Sequence, residues 1–237
     1  MKERVVTLMW GNAWDQYGKE FCSRFNKFWP EDVELHLVTD WHYSDRATNH
    51  DLDRIPEYRN FMTRYGAHDW ARGLGCTDRK ASPDKRFWKM DAVKWAPQGL
   101  TPVVALEGME DGDVFAWFDA DVMTMNPVPK HWLNVLLGGK DVACIQRGKQ
   151  HPDIGFWAIR VGTETRQMIW TFADIYESGD FSDLKEWHSA YVFAEALARF
   201  PKLTINNLNP TMMRGHPWPH TPLAEYTVHK KGKLKNG

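Results

Sequence analysis

The chain has few cysteines, no excess charge of either sign and no long apolar run. Its three cysteines, Cys22, Cys76 and Cys144, are odd in number and far apart, which argues against a disulfide framework and favours a reducing compartment. The formal net charge of -1 gives no general attraction to nucleic acid or to a membrane surface. The apolar stretch after Met1 is too short for a signal peptide or a transmembrane helix. We therefore expect a soluble, cytoplasmic protein with no transmembrane segment and no nucleic-acid partner.

The sequence does contain enough residues for one full core, and it is rich in tryptophan. A chain of 237 residues without internal repeats or linkers predicts a single domain over residues 1–237. Its 13 tryptophans offer flat apolar faces that stack on sugar rings and bases, but such side chains also fill ordinary cores. The tryptophan count alone therefore leaves binding and packing open.

The first forty residues predict a βαβ unit. Residues 5–9 form a β-branched apolar run, residues 16–28 carry aromatic side chains on one helical face, and residues 33–40 alternate at period two. Short connections between such elements imply a parallel pair of strands. The pattern predicts an α/β fold.

Weaker patterns predict the remaining elements. Prolines are expected to end two of the helices, at Pro97 and Pro201. The proline-rich residues 209–222 favour an irregular crossing, and residues 41–84 are polar and weakly patterned around one helix and a loop near residues 73–84. The predicted helices cover residues 56–65, 86–96, 164–176 and 183–200, and the predicted strands residues 141–146, 154–161 and 203–206.

The most informative segment is residues 114–122, an apolar run that ends in two carboxylates separated by one residue, Asp119 and Asp121. A regular strand points alternate side chains to the same face, so both acids would lie together. Two adjacent buried acids are costly unless a cation or hydrogen-bond donors lie between them. Mg²⁺ and Mn²⁺ prefer such oxygen ligands and often join a carboxylate to a phosphate. The segment indicates a metal–diphosphate site at a strand end, although a solvated loop with two acids gives the same pattern.

Three further segments appear in a recognisable order around this motif. Residues 86–92 precede it with Arg86 and Lys89, residues 152–159 follow it as a strand with an Asp-x-Gly start, and residues 228–235 contain His-x-x-Gly-x-x-Lys. Together with the βαβ start, this order resembles the GT-A fold of nucleotide-sugar glycosyltransferases, in particular glycogenin-like and lipopolysaccharide glycosyltransferases. The resemblance implies a Rossmann-like α/β architecture with a mixed, mostly parallel central sheet flanked by helices.

The resemblance also implies a donor and a metal. It assigns Asp121 and His229 as ligands of Mn²⁺ or Mg²⁺, and Asp119 either as a third ligand or as a partner of a ribose hydroxyl. Gly232 and Lys235 are expected at the diphosphate of a UDP-sugar or another nucleotide-diphosphate sugar. A divalent ion and a lysine can neutralise the negative charge of a departing diphosphate, which supports the assignment on chemical grounds.

Further donor contacts are expected at two places. The resemblance places Arg86 and Lys89 on a helix that reaches the donor, although both are ordinary helix-surface charges when taken alone. Open α/β sheets bind nucleotides at the carboxyl ends of their strands. Trp10 and Gly11 follow the first strand and are expected to cradle the base, whereas Asp40, which closes the second strand, either binds base or ribose or caps a turn.

The acceptor side carries the weakest pattern. Asp153, Glu186 and His188 are the catalytic candidates, the last two at the start of the helix predicted over residues 183–200. Related enzymes often place an acid where this chain has Ser189. The resemblance implies a hexosyl-transferring enzyme that retains anomeric configuration, with an acceptor that is an unknown carbohydrate, lipid or protein and with no nucleophile named.

Three other hypotheses remain open. A phosphatase of the haloacid dehalogenase type also uses Asp-x-Asp after a strand, but normally near its N-terminus. A tryptophan-rich carbohydrate-binding protein without catalysis is usually all-β, whereas this chain begins βαβ. A nucleotidyltransferase would carry a glycine-rich, basic N-terminal loop, and the loop after the first strand here is short and uncharged.

Overall fold

A mixed β-sheet with helices on both faces forms the centre of the molecule. The structure, a computed structural model, describes residues 1–74 and 87–230. Within these residues the strands are β1 Glu3–Met9, β2 Val33–Thr39, β3 Ala47–Asp51, β4 Val114–Phe118, β5 Val122–Thr124, β6 Val142–Arg147, β7 Gln150–Arg160, β8 Ile205–Asn207 and β9 Thr227–His229. The α-helices are α1 Lys19–Phe28, α2 Pro56–Tyr65, α3 Ala92–Leu100, α4 Trp132–Leu137, α5 Thr163–Ser178 and α6 Ser189–Ala198.

Seven strands form the main sheet in the order β3-β2-β1-β4-β7-β6-β8, and β5 pairs separately with β9. β1 runs parallel to both β2 and β4, and β3 runs parallel to β2. β7 runs antiparallel to β4, with Phe118 opposite Phe156. The carboxyl ends of β1, β2 and β4 and the beginning of β7 therefore meet at one edge of the sheet. The sheet is mostly parallel, and the predicted mixed α/β class is confirmed.

Alternating side chains of β4 supply both cores. Phe115 and Trp117 point into one cluster, which α2, α3, α5 and α6 cover. Ala116 and Phe118 point into the opposite cluster, which α1 and α4 cover. Because successive strand side chains alternate faces, one apolar strand can be buried on both sides.

Four short elements were not predicted: β3, β5, α4 and β9. β3 contains the polar sequence Ala-Thr-Asn-His-Asp and lies at the edge of the sheet, where it pairs only with β2. Its side chains are half-buried or exposed, so no apolar alternation marks it. Backbone pairing with a neighbouring strand, rather than side-chain pattern, forms such elements.

The predicted bounds of two helices are wrong. The helix predicted over residues 86–96 begins at Ala92 and continues past Pro97 to Leu100; Asp91 caps it by accepting the backbone N–H of Lys94 at 3.0 Å. Burial of the residues around Pro97 holds the helix together despite the lost backbone hydrogen bond. The helix predicted over residues 183–200 begins only at Ser189.

Two of the three cysteines lie within the described residues. Cys22 and Cys144 are free and buried, and complete burial raises the pKa of Cys144 to about 12. No helix within residues 1–74 and 87–230 combines the length and the apolar character needed to cross a bilayer. The assignment of one domain to residues 1–237 stays a prediction.

Candidate functional site

Asp119 and Asp121 lie in the turn that joins β4 to β5. The strand ends at Phe118, and the backbone N–H of Val122 donates to the carbonyl of Asp119 at 3.0 Å. The expectation that both acids belong to one regular strand is therefore wrong, because a turn places them. Their carboxylate oxygens still lie together: one from each acid and a ring nitrogen of His229 are all within 4.8 Å of one another.

The short β5–β9 ribbon carries His229 to the two acids. Val122 pairs with His229 in the antiparallel register, and the backbone N–H of Lys230 donates to the carbonyl of Asp121 at 2.9 Å. Nε2 of His229 lies 3.0 Å from Oδ1 of Asp121, and the imidazole is only 1% exposed. A segment near the end of the described chain thus completes a group that begins in the middle of the sequence.

Neighbouring side chains orient Asp119. Its Oδ1 accepts hydrogen bonds from Nε1 of Trp117 at 2.9 Å and from Nε2 of Gln98 at 3.1 Å. The hydroxyl of Ser189 donates to the other end of the Gln98 amide. α3 and the start of α6 are therefore joined to the Asp119 carboxylate through one glutamine.

The start of β7 lies directly against His229. A Cβ at Gly155 would lie 2.5 Å from Cε1 of His229, so the imidazole occupies space that only glycine leaves open. The Gly155 carbonyl accepts the N–H of Asp119 at 2.9 Å, and its own N–H donates to Asp153 at 3.2 Å. Asp153 is 3% exposed. The predicted Asp-x-Gly segment thus lies beside both members of the Asp-x-Asp motif.

The chemistry of this donor set suits a divalent cation. Two carboxylates supply the oxygen ligands that Mn²⁺ and Mg²⁺ prefer, one imidazole adds a nitrogen ligand, and phosphate or water can fill the remaining positions. Asp119, Asp121 and His229 are therefore the residues that would hold the ion.

Two clefts meet at these acids. The first, here called the Trp10 cleft, has a volume of about 270 Å³ and contains Trp10, Tyr17 and Lys94. The second, here called the Trp88 cleft, has a volume of about 340 Å³. Its lining includes Trp88, Arg147, Asp153, His188, Ser189 and His229. Both clefts share Trp95, Gln98, Asp119 and Asp121. A further cavity of about 440 Å³ lies along α5 and contains none of the predicted site residues.

Gly11 and Asp40, two residues predicted to contact the nucleotide, form a hydrogen bond with each other. The backbone N–H of Gly11 donates to Oδ2 of Asp40 at 2.7 Å, so Asp40 holds the turn that follows β1. Neither Gly11 nor Asp40 lines either cleft. Trp10, which directly precedes Gly11, lines the Trp10 cleft. The structure thus places Trp10 against the site and gives Asp40 a supporting contact.

Lys89 and Glu186 form an ion pair to one side of the acids. Nζ of Lys89 lies 2.6 Å from Oε1 of Glu186, and neither residue lines the two clefts. Nε2 of His188 lies 2.8 Å from Oε2 of the same carboxylate. Burial raises the pKa of Glu186, but hydrogen bonds from Lys89 and His188 outweigh burial and leave this pKa below its ordinary value. Burial lowers the pKa of His188.

Glu186 and His188 precede α6 instead of opening it, because the backbone of His188 is extended and the helix begins at Ser189. Arg86, Gly232 and Lys235 lie outside the described residues, so their predicted roles stay predictions.

Sequence reasoning missed several residues that line the clefts, among them Tyr17, Lys94 and Gln98. Lys94 and Gln98 are spaced by four residues on α3 and therefore share a helix face. This spacing could have indicated that the two residues lie together, but the helix was expected to end at Pro97, before Gln98. Lys94, on α3, lines a cleft that contains the two acids. Lys89, which precedes α3, lines neither cleft.

Structural comparison supports the fold. No protein-family model and no curated protein matches the sequence. Mouse xyloside xylosyltransferase 1, in its apo form, matches with a TM-score of 0.50 at 7% identity, over 95% of this chain and 92% of that one. Galactosyltransferase LgtC, in complex with donor and acceptor sugar analogues, gives a TM-score of 0.43 at 11% identity, over 82% of this chain and 70% of that one. The first of these matches spans nearly all of both chains, and the chain has the GT-A fold.

Proposed function

We propose that this protein is a metal-dependent glycosyltransferase that moves a sugar from a nucleotide-diphosphate sugar to an acceptor. UDP is the proposed nucleotide and Mn²⁺ or Mg²⁺ the proposed ion. The acceptor is a carbohydrate, lipid or protein that the proposal leaves unnamed. A single domain and a cytoplasmic location remain part of the proposal.

The convergence of Asp119, Asp121 and His229 where the two clefts meet is the observation that carries the proposal. A sugar donor has a base, a charged diphosphate and a sugar in line, and these need an aromatic site, a cationic site and a polar site in the same order. The two clefts contain aromatic, cationic and polar side chains around the acids.

Each cleft has side chains for one part of such a donor. In the Trp10 cleft, Trp10 and Tyr17 offer aromatic faces to a base, and the exposed Lys94 offers a positive charge to a phosphate. A bound divalent ion would supply further positive charge to the departing diphosphate. We therefore assign to Lys94 the contact with the donor phosphate that was first expected of Lys89.

The Trp88 cleft is the proposed site of the sugar and its acceptor. Asp153 and His188 line it, whereas Glu186 contacts His188 from outside the lining. All three remain candidates for the catalytic role. The inferred retention of configuration follows from the resemblance alone, and the proposal names no nucleophile.

Nucleotide binding tests the proposal at Asp121. In wild-type protein, Mn²⁺ together with UDP should raise the melting temperature more than either alone, because the diphosphate completes the coordination of the ion. Asp121→Asn keeps the shape and removes the charge, so it should abolish this joint increase. Calorimetry with a panel of nucleoside diphosphates then identifies the base.

Asp111→Asn is the matched control, because Asp111 is 73% exposed and pairs with Arg166 away from the clefts. This variant should keep the joint increase. A joint increase of wild-type size in Asp121→Asn would remove the basis of the proposal.

Turnover separates the competing hypotheses. A glycosyltransferase given its donor should hydrolyse it slowly and react faster once an acceptor is added, since the site positions the acceptor hydroxyl and disfavours water. Rapid hydrolysis of an aryl phosphate without nucleotide-sugar activity would favour the phosphatase. Sugar binding without any turnover would favour the non-catalytic protein.

A further inference from the structure

A second group of potential metal ligands lies outside the Asp-x-Asp site. Nε2 of His188 and Nε2 of His151 approach the same atom, Oε2 of Glu186, at 2.8 and 3.2 Å. The three ligand atoms all lie within 4.8 Å of one another. Two imidazoles and one carboxylate thus converge on one small volume.

The three side chains are held by different parts of the fold. His151 belongs to the start of β7 and packs edge-on against Tyr191, with 4.9 Å between ring centroids. His188 is the residue before α6, is 6% exposed, and contacts the ring of Trp88 with 5.2 Å between centroids. Glu186 lies two residues before His188, in the non-helical segment that precedes that helix. Convergence of two separate segments makes the group a preformed arrangement rather than a local turn.

Lys89 fixes the carboxylate from the other side. Its Nζ donates to Oε1 of Glu186 at 2.6 Å, which leaves Oε2 directed at the two imidazoles. Ligating carboxylates in metal sites are commonly held in this way by a second hydrogen bond. The lysine therefore acts as the outer partner of a ligand.

We propose that His151, Glu186 and His188 bind a zinc ion at a site separate from Asp119, Asp121 and His229. Zinc takes histidine nitrogen and carboxylate oxygen at about 2.0–2.2 Å in a tetrahedral arrangement, which places neighbouring ligand atoms roughly 3.3 Å apart. The observed separations from Oε2 are close to that spacing, so small shifts suffice to admit the ion. Three protein ligands leave a fourth position for water or a substrate oxygen.

The imidazole content distinguishes the two sites. Two histidines with one carboxylate are a known zinc ligand set, whereas carboxylate-rich sets suit harder ions such as Mn²⁺. The zinc site does not depend on sugar transfer, because it rests on its own three ligands. His188 also lines the Trp88 cleft, so the ion would lie beside the space proposed for the acceptor.

Zinc titration of full-length protein tests this inference in a His229→Ala background. Within the described residues, His229 belongs to both other groups of potential ligands, so this change weakens both. After removal of metal with a chelator, the background protein should bind one equivalent of zinc, measured by calorimetry and by metal content after dialysis.

A second substitution in that background locates the ion. His151→Ala and, separately, Glu186→Gln should each weaken zinc binding by at least ~100-fold, because loss of even an outer partner costs about 10–100-fold. Glu186→Gln retains the shape of the side chain, which keeps the test valid if His151→Ala fails to fold. His220→Ala, at an exposed histidine, should leave zinc binding unchanged.

Two results would overturn the inference. One is the absence of zinc binding in the His229→Ala protein. The other is equal zinc affinity in the His151→Ala, Glu186→Gln and His220→Ala derivatives, which would place the ion elsewhere.

Discussion

At the scale of single residues, Gly155 packs directly against the imidazole of His229. We predict that Gly155→Ala displaces the imidazole, because the added Cβ would lie 2.5 Å from Cε1 of His229. Overpacking of this kind costs about 1–3 kcal/mol of unfolding free energy. The variant should therefore melt at a lower temperature and lose the joint stabilisation by Mn²⁺ and UDP.

Gly162→Ala provides the control for this substitution. Gly162 has an extended backbone, and the nearest atom to an added Cβ is Oγ1 of Thr165 at 4.0 Å. This variant should keep both its stability and its response to nucleotide. If Gly155→Ala behaves in the same way as Gly162→Ala, the contact with His229 does not position the ligand.

The buried His36, which pairs with the half-buried His50, predicts how stability changes with pH. Nδ1 of His36 lies 2.9 Å from Nε2 of His50. Burial, reinforced by the nearby Arg4, lowers the pKa of His36 from 6.5 to about 3. Between these values the unfolded chain binds a proton that the folded protein excludes, so stability falls as pH is lowered from 6.5 towards 3. The slope from this one group is at most about 1.4 kcal/mol per pH unit.

His36→Gln should flatten this part of the curve, since glutamine does not titrate and still offers hydrogen bonds to His50. Denaturant unfolding at several pH values between 4 and 7 measures the slope. His220→Gln removes an exposed histidine and should reproduce the wild-type slope. Equal slopes in all three proteins would show that the His36 pair is not the source of acid sensitivity.

Individual site residues differed in how well sequence predicted them. Asp119 and Asp121 were found because they end an apolar run, and His229 because its segment resembles an element of glycogenin-like glycosyltransferases. No sequence pattern singled out Gln98. Its position depends on the continuation of α3 through Pro97, which burial rather than local helix propensity permits. Lys89 looked equally suited to phosphate, but tertiary contact with Glu186 engages it instead.

At the scale of elements, β9 connects the end of the described chain to the site. Its residues Thr227 and His229 are buried, and it pairs with β5 immediately after Asp121. We predict that deleting residues 227–237 lowers the melting temperature without ligand and abolishes the response to Mn²⁺ and UDP. Deleting residues 231–237 removes Gly232 and Lys235 but keeps β9, so it should lower nucleotide affinity with a smaller loss of unliganded stability.

Comparison of the two truncations by thermal melting and nucleotide calorimetry separates the two effects. Wild-type nucleotide affinity after loss of residues 231–237 would exclude Gly232 and Lys235 from the donor site. Retention of the joint response after loss of residues 227–237 would exclude His229.

Element prediction succeeded where an apolar period was long and failed where pairing decided the structure. β1, β2 and α5 have strong patterns and were predicted close to their observed bounds. β5 and β9 are three residues each and stabilise one another across a long stretch of sequence. No local window contains both strands, so the sequence pattern could not indicate the ribbon.

At the scale of the whole molecule, one sheet joins the two cores. β1 and β4 bury residues in both clusters, so neither core can be lost without exposing strands that the other covers. We predict a single cooperative unfolding transition in guanidinium, with the same midpoint by tryptophan fluorescence and by far-ultraviolet circular dichroism.

Leu100 on α3 and Leu133 on α4 are fully buried in opposite cores. Leu100→Ala and Leu133→Ala should each cost about 2–5 kcal/mol and shift the whole transition, because each weakens the same shared sheet. Separate transitions, with each substitution moving only one of them, would show two independently folding units and contradict the single domain.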